Sequence, residues 1–210
     1  TGAYDHRGDA IIYGDTDSVY FSAYKPLKKE IDAGTIPWEK ENIISLYDKI
    51  ADEVNTSFTG YMTRAFHCPK SRGEVIAAGR ELIASKGLFI TKKRYAVLYF
   101  DKEGNRTDTA GSPGKMKAMG LDLKRSDTPV FVQDFLSELL MMVLTNGTEK
   151  DVLARISKFR SEFKARPGWE KGSPKRANNV ANYLVKENKE GRANMPGHVR
   201  ASINWNRCRE

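Results

Sequence analysis

The nine residues from Tyr13 to Phe21 constrain this chain more than any other stretch. Ala10-Ile11-Ile12-Tyr13 is a β-branched and aromatic run that enters a Gly-Asp turn, and Val19-Tyr20-Phe21 leaves it, the pattern of a β-hairpin. Asp15 and Asp17 stand at its tip. On an extended tip they share one face, with roughly 6 to 7 Å between them at the ~3.3 Å rise of a strand. Repulsion at that separation is roughly 2 to 3 kcal/mol at an effective dielectric of about 20, which is large against a total stability of ~5–15 kcal/mol. A bound cation relieves it. Oxygen-only ligands suit Mg²⁺, which takes one or two carboxylates and completes its shell with water and substrate phosphates. Taken alone, Asp-Thr-Asp reads more simply as a solvated acidic turn, and it is the rest of the chain that argues otherwise.

Length and charge narrow the field. At 210 residues the chain holds one large or two small domains with a real core. Its longest apolar run, Leu139–Leu144, is far too short to span a bilayer and no charged-then-apolar leader is visible, so a soluble protein is expected. The opening on Thr1 in a polar segment and the stop at Glu210, just after Asn204-Trp205-Asn206-Arg207, read as a piece of something longer. Cys68 and Cys208 form no metal-spaced cluster and no disulfide framework, which suits a reducing compartment. Residues 1–110 hold 16 Lys and Arg against 16 Asp and Glu, whereas residues 111–210 hold 19 against 11, the whole of the +8 excess. A basic half beside a neutral half that carries paired aspartates suits a polyanion gripped by one part and processed by the other.

The remaining elements follow from periodicity. Lys25–Lys29 and Asp32–Pro37 read as loop, and apolar residues at spacings of three and four from Ile43 through Val54 and Tyr61 to Met62 predict one long helix over 41–66 with a core-facing stripe. Cys68–Gly73 reads as a turn, Glu74–Ala78 as a short strand, and Leu88–Ile90 and Tyr95–Phe100 as strands before an Asp101–Gly104 turn. The composition changes at Thr109–Gly114, the best boundary candidate. Beyond it, Ser126-Asp127-Thr128-Pro129 predicts a helix start with capping side chains, running to about Thr145. Thr148 predicts the cap of a second helix with Val152, Leu153, Ile156, Phe159 and Phe163 on one face, and a third, short helix is expected near 176–185. The fold class is α+β, an antiparallel sheet packed on a long helix and followed by a mainly helical region.

Lys92-Lys93-Arg94-Tyr95 stands directly before an apolar strand. Its cations suit phosphates or minor-groove base edges, and Tyr95 offers a flat face and a hydroxyl beside them, although Lys-Lys-Arg taken alone reads more simply as a solvated strand end. In motif order the chain resembles the B-family DNA polymerases, most closely the T-even-type bacteriophage replicative enzymes: Gly14-Asp15-Thr16-Asp17-Ser18, a long helix, an Arg-x-Glu-like strand at Arg72-Gly73-Glu74, then Lys92-Lys93-Arg94-Tyr95. Met116–Leu121, Ser126–Pro129, Ala177–Ala181 and Pro196–Arg200 through Asn206-Arg207 are similar to those enzymes' passage from palm to thumb and to the thumb itself.

The resemblance implies a C-terminal part of a polymerase palm at 1–113 and most of a thumb at 114–210, incomplete at its C-terminal end. It implies that Asp17 ligates both catalytic Mg²⁺ ions, that Asp15 is its partner with less constant ligation, and that Glu74 supports the metal site, although Gly73 departs from the family spelling. It implies that Lys92, Lys93 and Tyr95 hold the primer strand near its 3′ end, and it assigns Arg94 nothing beyond charge and packing. The implied partners are primer-template DNA and deoxynucleoside triphosphates, with a sliding clamp reached through regions outside the chain, no membrane, and the bacterial host cytoplasm as the place of action. The palm's other metal-binding aspartate, the fingers and the editing exonuclease lie upstream in this family, so the piece alone is expected to be inactive. Two rivals stand beside this reading. One is a stand-alone nucleic-acid-binding module that uses its aspartates only structurally. The other is an unrelated Mg²⁺ phosphohydrolase, disfavoured by a single clear carboxylate pair with only His6 near it in sequence.

Overall fold

In a computed structural model, residues 10–178, 180–190 and 195–208 are described, the side chains of 186–190 excepted. His6 and Asn179, the latter within the Ala177–Ala181 stretch, lie outside the described residues. The chain divides between Met119 and Gly120 into two compact units.

In the first unit, β1 (Ile11–Gly14) and β2 (Val19–Phe21) form the expected antiparallel hairpin. The stretch expected as loop contains a short helix, α1 (Lys28–Asp32), closed by a Lys28–Asp32 ion pair at 3.1 Å one helical turn apart. The long helix forms as α2 (Lys40–Phe66), stopped by His67 in the left-handed conformation, whose amide bonds the Met62 carbonyl. Its apolar stripe is half-buried rather than buried, and Val54 and Tyr61, expected in the core, are exposed. A helical turn, α3 (Lys70–Gly73), replaces the turn expected after it.

Glu74–Ala78 is not a strand. The Asn55 side chain on α2 takes both backbone groups of Ala78, accepting its N–H at 2.6 Å and donating to its C=O at 3.0 Å, and Val75 and Ile76 face solvent. Periodicity saw β-branched residues and could not see that an amide side chain would replace a partner strand.

The main sheet holds β3 (Leu82–Thr91), β4 (Arg94–Lys102), β5 (Asn105–Arg106) and β6 (Lys115–Met119), all antiparallel. β3 begins six residues before the run that predicted it, because Ser85, Lys86 and Gly87 dilute its apolar pattern. β4 is central: β3 lines one edge, and β5 and β6 share the other along Asp101–Lys102 and Tyr95–Tyr99. Tyr95 through Leu98 are buried consecutively, which is why this strand reads as unbroken apolar sequence rather than as an alternation. Gly114, at φ 118°, turns the chain into β6 where a Cβ would stand 2.4 Å from the Tyr99 carbonyl oxygen, so only glycine fits.

Charged clamps tie α2 to this sheet. Arg80 bonds Asp48 of α2 and Asp101 of β4, and Asp101, 1% exposed, also accepts the Gly104 amide at 3.1 Å. At the other end, Asp108 takes Arg106 through two bonds of 2.8 and 2.9 Å and Lys40 of α2 besides. These cations hold the Asp108 carboxyl well below the usual carboxylate range. The hairpin is fixed to the same helix by Tyr47, whose hydroxyl accepts the Ala23 amide at 2.9 Å and whose ring lies 5.2 Å from that of Phe21.

The second unit is helical: a 3₁₀ turn (Asp122–Lys124), then α4 (Val130–Leu144), α5 (Glu149–Ala165), α6 (Gly168–Lys171), α7 (Val180–Glu190) and α8 (Gly197–Arg207). α6 and α8 were not expected, and α7 starts four residues later than its sequence suggested. The α4 start carries Pro129 but no side-chain cap: Asp127 is taken by Arg125 at 2.9 Å, and the Thr128 hydroxyl donates to the Asp122 carbonyl. Gln133 instead ties the preceding loop, donating to the Arg125 and Thr128 carbonyls. Thr148 caps α5 as expected, in a reciprocal box with Asp151. α4 and α5 meet through Phe131, Phe135, Phe159 and Phe163, with Phe135 and Phe159 stacked at 3.7 Å, while Leu153 stays exposed. Met195, Val199 and Ile203 form a second small core. Among the described residues no helix is long and apolar enough to cross a membrane.

Two outcomes follow. Asp101→Ala strands the Arg80 guanidinium, 11% exposed, with Asp48 alone. Chemical denaturation should show a loss of about 2–4 kcal/mol, below the full cost of breaking a buried pair because Asp48 remains. Asp127, held down to about 2 by Arg125, should titrate near that pH by carboxyl NMR. A folded-state value below the unfolded one means that its contribution is present above the ordinary aspartate range and is lost as pH falls through about 2. Arg125→Ala should return the titration to the ordinary range.

Candidate functional site

The β1–β2 register pairs Tyr13 with Tyr20 and Gly14 with Val19, leaving Asp15 to Ser18 as the tip. The Asp15 amide donates to the Ser18 carbonyl at 2.9 Å, so the tip is the tight turn of the expected hairpin and not an extended segment. The turn separates the fates of the two aspartates. Asp15 Oδ1 accepts the Thr16 amide at 2.9 Å and the Thr16 hydroxyl at 3.3 Å, and Oδ2 accepts the Tyr13 hydroxyl at 3.1 Å. The Thr16 amide first, then the Tyr13 hydroxyl, lower its pKa, so Asp15 stays ionised. Asp17 is exposed and makes no hydrogen bond or ion pair to any other described residue. Among the described residues, one carboxylate is oriented in advance and the other is left without a partner.

Lys92 and Lys93 form the two-residue turn between β3 and β4, closed by the Thr91–Arg94 pair. They sit at a hairpin tip rather than in the sheet. Lys93 has φ 62°, the left-handed region that lysine seldom occupies, and its amide donates to the Tyr13 hydroxyl at 3.2 Å. Both lysines are exposed, and Lys93 lies close enough to help lower the Asp15 pKa. Tyr13 therefore joins the two tips, accepting from one and donating to the other.

Beneath that link is an aromatic cluster. The Tyr13 ring lies 5.4 Å from Tyr95, 6.0 Å from Phe89 and 6.3 Å from Tyr20, and Phe89 stacks on Tyr95 at 5.4 Å. Gly87 makes room: a Cβ there would meet the Phe89 ring at 2.8 Å. Tyr95 is 8% exposed, so the flat face expected to be free is covered, and its hydroxyl bonds that of Tyr20. Burial and this bond raise Tyr20 well above the usual phenol range. Burial likewise raises the Tyr13 pKa, keeping its hydroxyl a proton donor.

Glu74 is exposed at the C-terminal cap of α3, where its amide bonds the Lys70 carbonyl. Among the described residues no three His, Cys, Asp or Glu side chains converge as a metal-holding group, so Asp15, Asp17 and Glu74 are not brought together as a trio. What the pair at the tip provides is two exposed carboxylates with oxygen donors only, a set that fits a hard divalent cation completing its shell from substrate and water. Sequence reasoning missed Tyr13 as a link. Strand alternation places Tyr13 and Asp15 on one face, a usable signal. The Lys93 amide that completes the link lies 80 positions away and has no sequence signature.

In the second unit, Arg125, Ser126, Asp127, Pro174, Lys175 and Arg176 line a cleft of about 420 Å³. The Arg176 carbonyl bonds His198 Nε2 at 3.2 Å, while the side chains of Lys175 and Arg176 face solvent.

Residues 5–195 match the family model of DNA polymerase family B. The DNA-directed DNA polymerase of Escherichia phage RB69 is 32% identical over 220 aligned positions, covering 96% of this chain and 22% of that protein. The DNA-directed DNA polymerase of Enterobacteria phage T4 is 27% identical over 83% of the chain and 20% of its own length. DNA polymerase 037L of Invertebrate iridescent virus 6 is 26% identical over 70% and 11%. The chain thus spans about a fifth of the length of the two phage relatives. With a carboxylate tip and a lysine turn joined in one unit and a match over nearly all its residues, the chain belongs to DNA polymerase family B.

Proposed function

We propose that this chain is part of a DNA-directed DNA polymerase, its first unit, to Met119, forming the C-terminal part of the palm and its second, from Gly120, most of the thumb; the boundary expected at 113/114 falls short of β6, which pairs with β4. The observation that carries the reading is the joining of the Asp15–Asp17 tip to the Lys92–Lys93 turn through Tyr13. A tip that meets reacting phosphates and a turn that meets the strand being extended must stand side by side, and in this unit they do. Lys92 and Lys93 hold the primer backbone as exposed cations, and Tyr95 acts by packing beneath them. The exposed lysines and arginines of the second unit, Lys175 and Arg176 among them, supply sequence-independent affinity for primer-template duplex.

Asp17, with Asp15 beside it, would hold divalent metal. When bound, a pair of Mg²⁺ ions supplies activation of the primer 3′-hydroxyl and neutralisation of charge on the incoming deoxynucleoside triphosphate. The chain's own contribution is orientation. Thr16 and Tyr13 fix Asp15 before any ligand arrives, and Asp17 remains open to bind.

In a full-length polymerase carrying this segment, Asp17→Ala should reduce single-nucleotide incorporation by at least about a hundredfold, the scale of losing one electrostatic stabiliser of a transition state. Duplex affinity should stay nearly unchanged, and Asp15→Ala should cost less. Near-normal incorporation by Asp17→Ala would remove the ligand assignment. Lys92→Ala and Lys93→Ala should each make the log–log salt dependence of duplex binding shallower by about one unit, on every sequence tested. Losses that vary with sequence would point to base readout instead. A stand-alone binding module would show the lysine effects without any aspartate effect.

A further inference from the structure

We propose that the Tyr13 hydroxyl couples the Lys92–Lys93 turn to Asp15, so that a DNA strand seated on the turn sets the orientation of that carboxylate. The inference rests on the polymerase reading above and makes Tyr13 a positioning residue, acting through Asp15.

The link is built from three contacts. The Lys93 amide donates to the Tyr13 oxygen at 3.2 Å, the Tyr13 hydroxyl donates to Asp15 Oδ2 at 3.1 Å, and Asp15 Oδ1 accepts the Thr16 amide at 2.9 Å. A phenol has one proton to give and lone pairs to receive, so both of its bonds can be made at once. Donation into the oxygen polarises the O–H, strengthening the next bond by about 10–30%. Displacing the Lys93 amide therefore changes the hold on Asp15.

Two further features make the link more than an incidental contact. The Tyr13 ring is held by Tyr95, Phe89 and Tyr20 at 5.4, 6.0 and 6.3 Å, so its hydroxyl cannot swing away to absorb a movement of the turn. The turn itself is under backbone strain, with lysine at φ 62°. That conformation aims the amide at Tyr13, and a glycine there would adopt it more easily. The placement of lysine at such a position is explained if the cation and the amide have separate tasks, one toward the phosphate and one toward Tyr13. Asp17 takes no part in the link, so its effect falls on one carboxylate of the pair.

The Thr16 amide is the reporter, because its acceptor is the carboxylate in question. The 210-residue chain, ¹⁵N-labelled, is titrated with a primer-template duplex, and the Thr16 and Lys93 amides are followed by NMR. In the wild type, both amides should shift as duplex saturates the turn. Tyr13→Phe keeps the ring and removes the hydroxyl. It should speed Lys93 amide exchange by about tenfold or more, leave duplex affinity within about twofold because both lysines remain, and abolish the duplex-dependent Thr16 shift. Lys93→Gly keeps the amide donor and loses the cation, so it should bind duplex more weakly yet retain the Thr16 shift at saturation. An equal Thr16 response in the wild type and Tyr13→Phe, or its loss in Lys93→Gly at saturation, would overturn the coupling while leaving the polymerase reading intact. Bound duplex with no Thr16 response in the wild type would overturn it in the same way. If duplex did not bind, or bound independently of Lys92 and Lys93, the DNA-holding role of the turn would fall and the coupling with it.

Discussion

A single phenolic oxygen determines how the first unit's functional groups relate to one another. Tyr13 receives the Lys93 amide and donates its hydroxyl proton to Asp15, joining the tips of the two hairpins. Every other feature of the region serves that arrangement. Gly87 admits the Phe89 ring, Phe89 stacks on Tyr95, Tyr95 bonds Tyr20, and Tyr20 stands opposite Tyr13 in the hairpin. The long helix anchors the base of the same hairpin through Tyr47 and grips the sheet through Asp48 and Lys40. The tip is exposed, but what stands behind it is packed and hydrogen-bonded.

That division suits a reaction site. Catalysis by oriented charge requires groups that need not reorganise when the substrate arrives. Asp15 is held in advance by Thr16 and Tyr13, whereas Asp17 has no hydrogen-bond or ion-pair partner among the described residues. The chain belongs to DNA polymerase family B, and its relatives in phages RB69 and T4 are named DNA-directed DNA polymerases.

Local patterns made much of this legible in the sequence. The β-branched and aromatic runs on either side of Asp15 and Asp17 announced the hairpin, the spacing of Ile43 to Met62 announced α2, and Thr148 announced the start of α5. The failures share a physical cause: a distant partner overrode a local preference. Val75-Ile76 suggested a strand, but Asn55 had already taken the backbone of Ala78. Tyr95 suggested a free face, but three aromatic rings from both hairpins cover it. The Asp127 and Thr128 side chains suggested caps, but Arg125 and the Asp122 carbonyl claimed them. The aspartates could be found by type and spacing. Which of them is held, and by what, required the fold.

On the polymerase reading proposed above, the Lys92–Lys93 turn meets the primer near its 3′ end, beside the carboxylate tip. Thr91, exposed at the edge of that turn, offers a direct probe. With Cys68 and Cys208 replaced by serine, Thr91→Cys can carry a photoactivatable azidophenacyl group, and its crosslinks to a primer-template duplex can be mapped to the nucleotide. Crosslinks should be confined to the primer strand within a few nucleotides of its 3′ terminus. Crosslinks spread evenly along both strands, or concentrated far from the terminus, would contradict it.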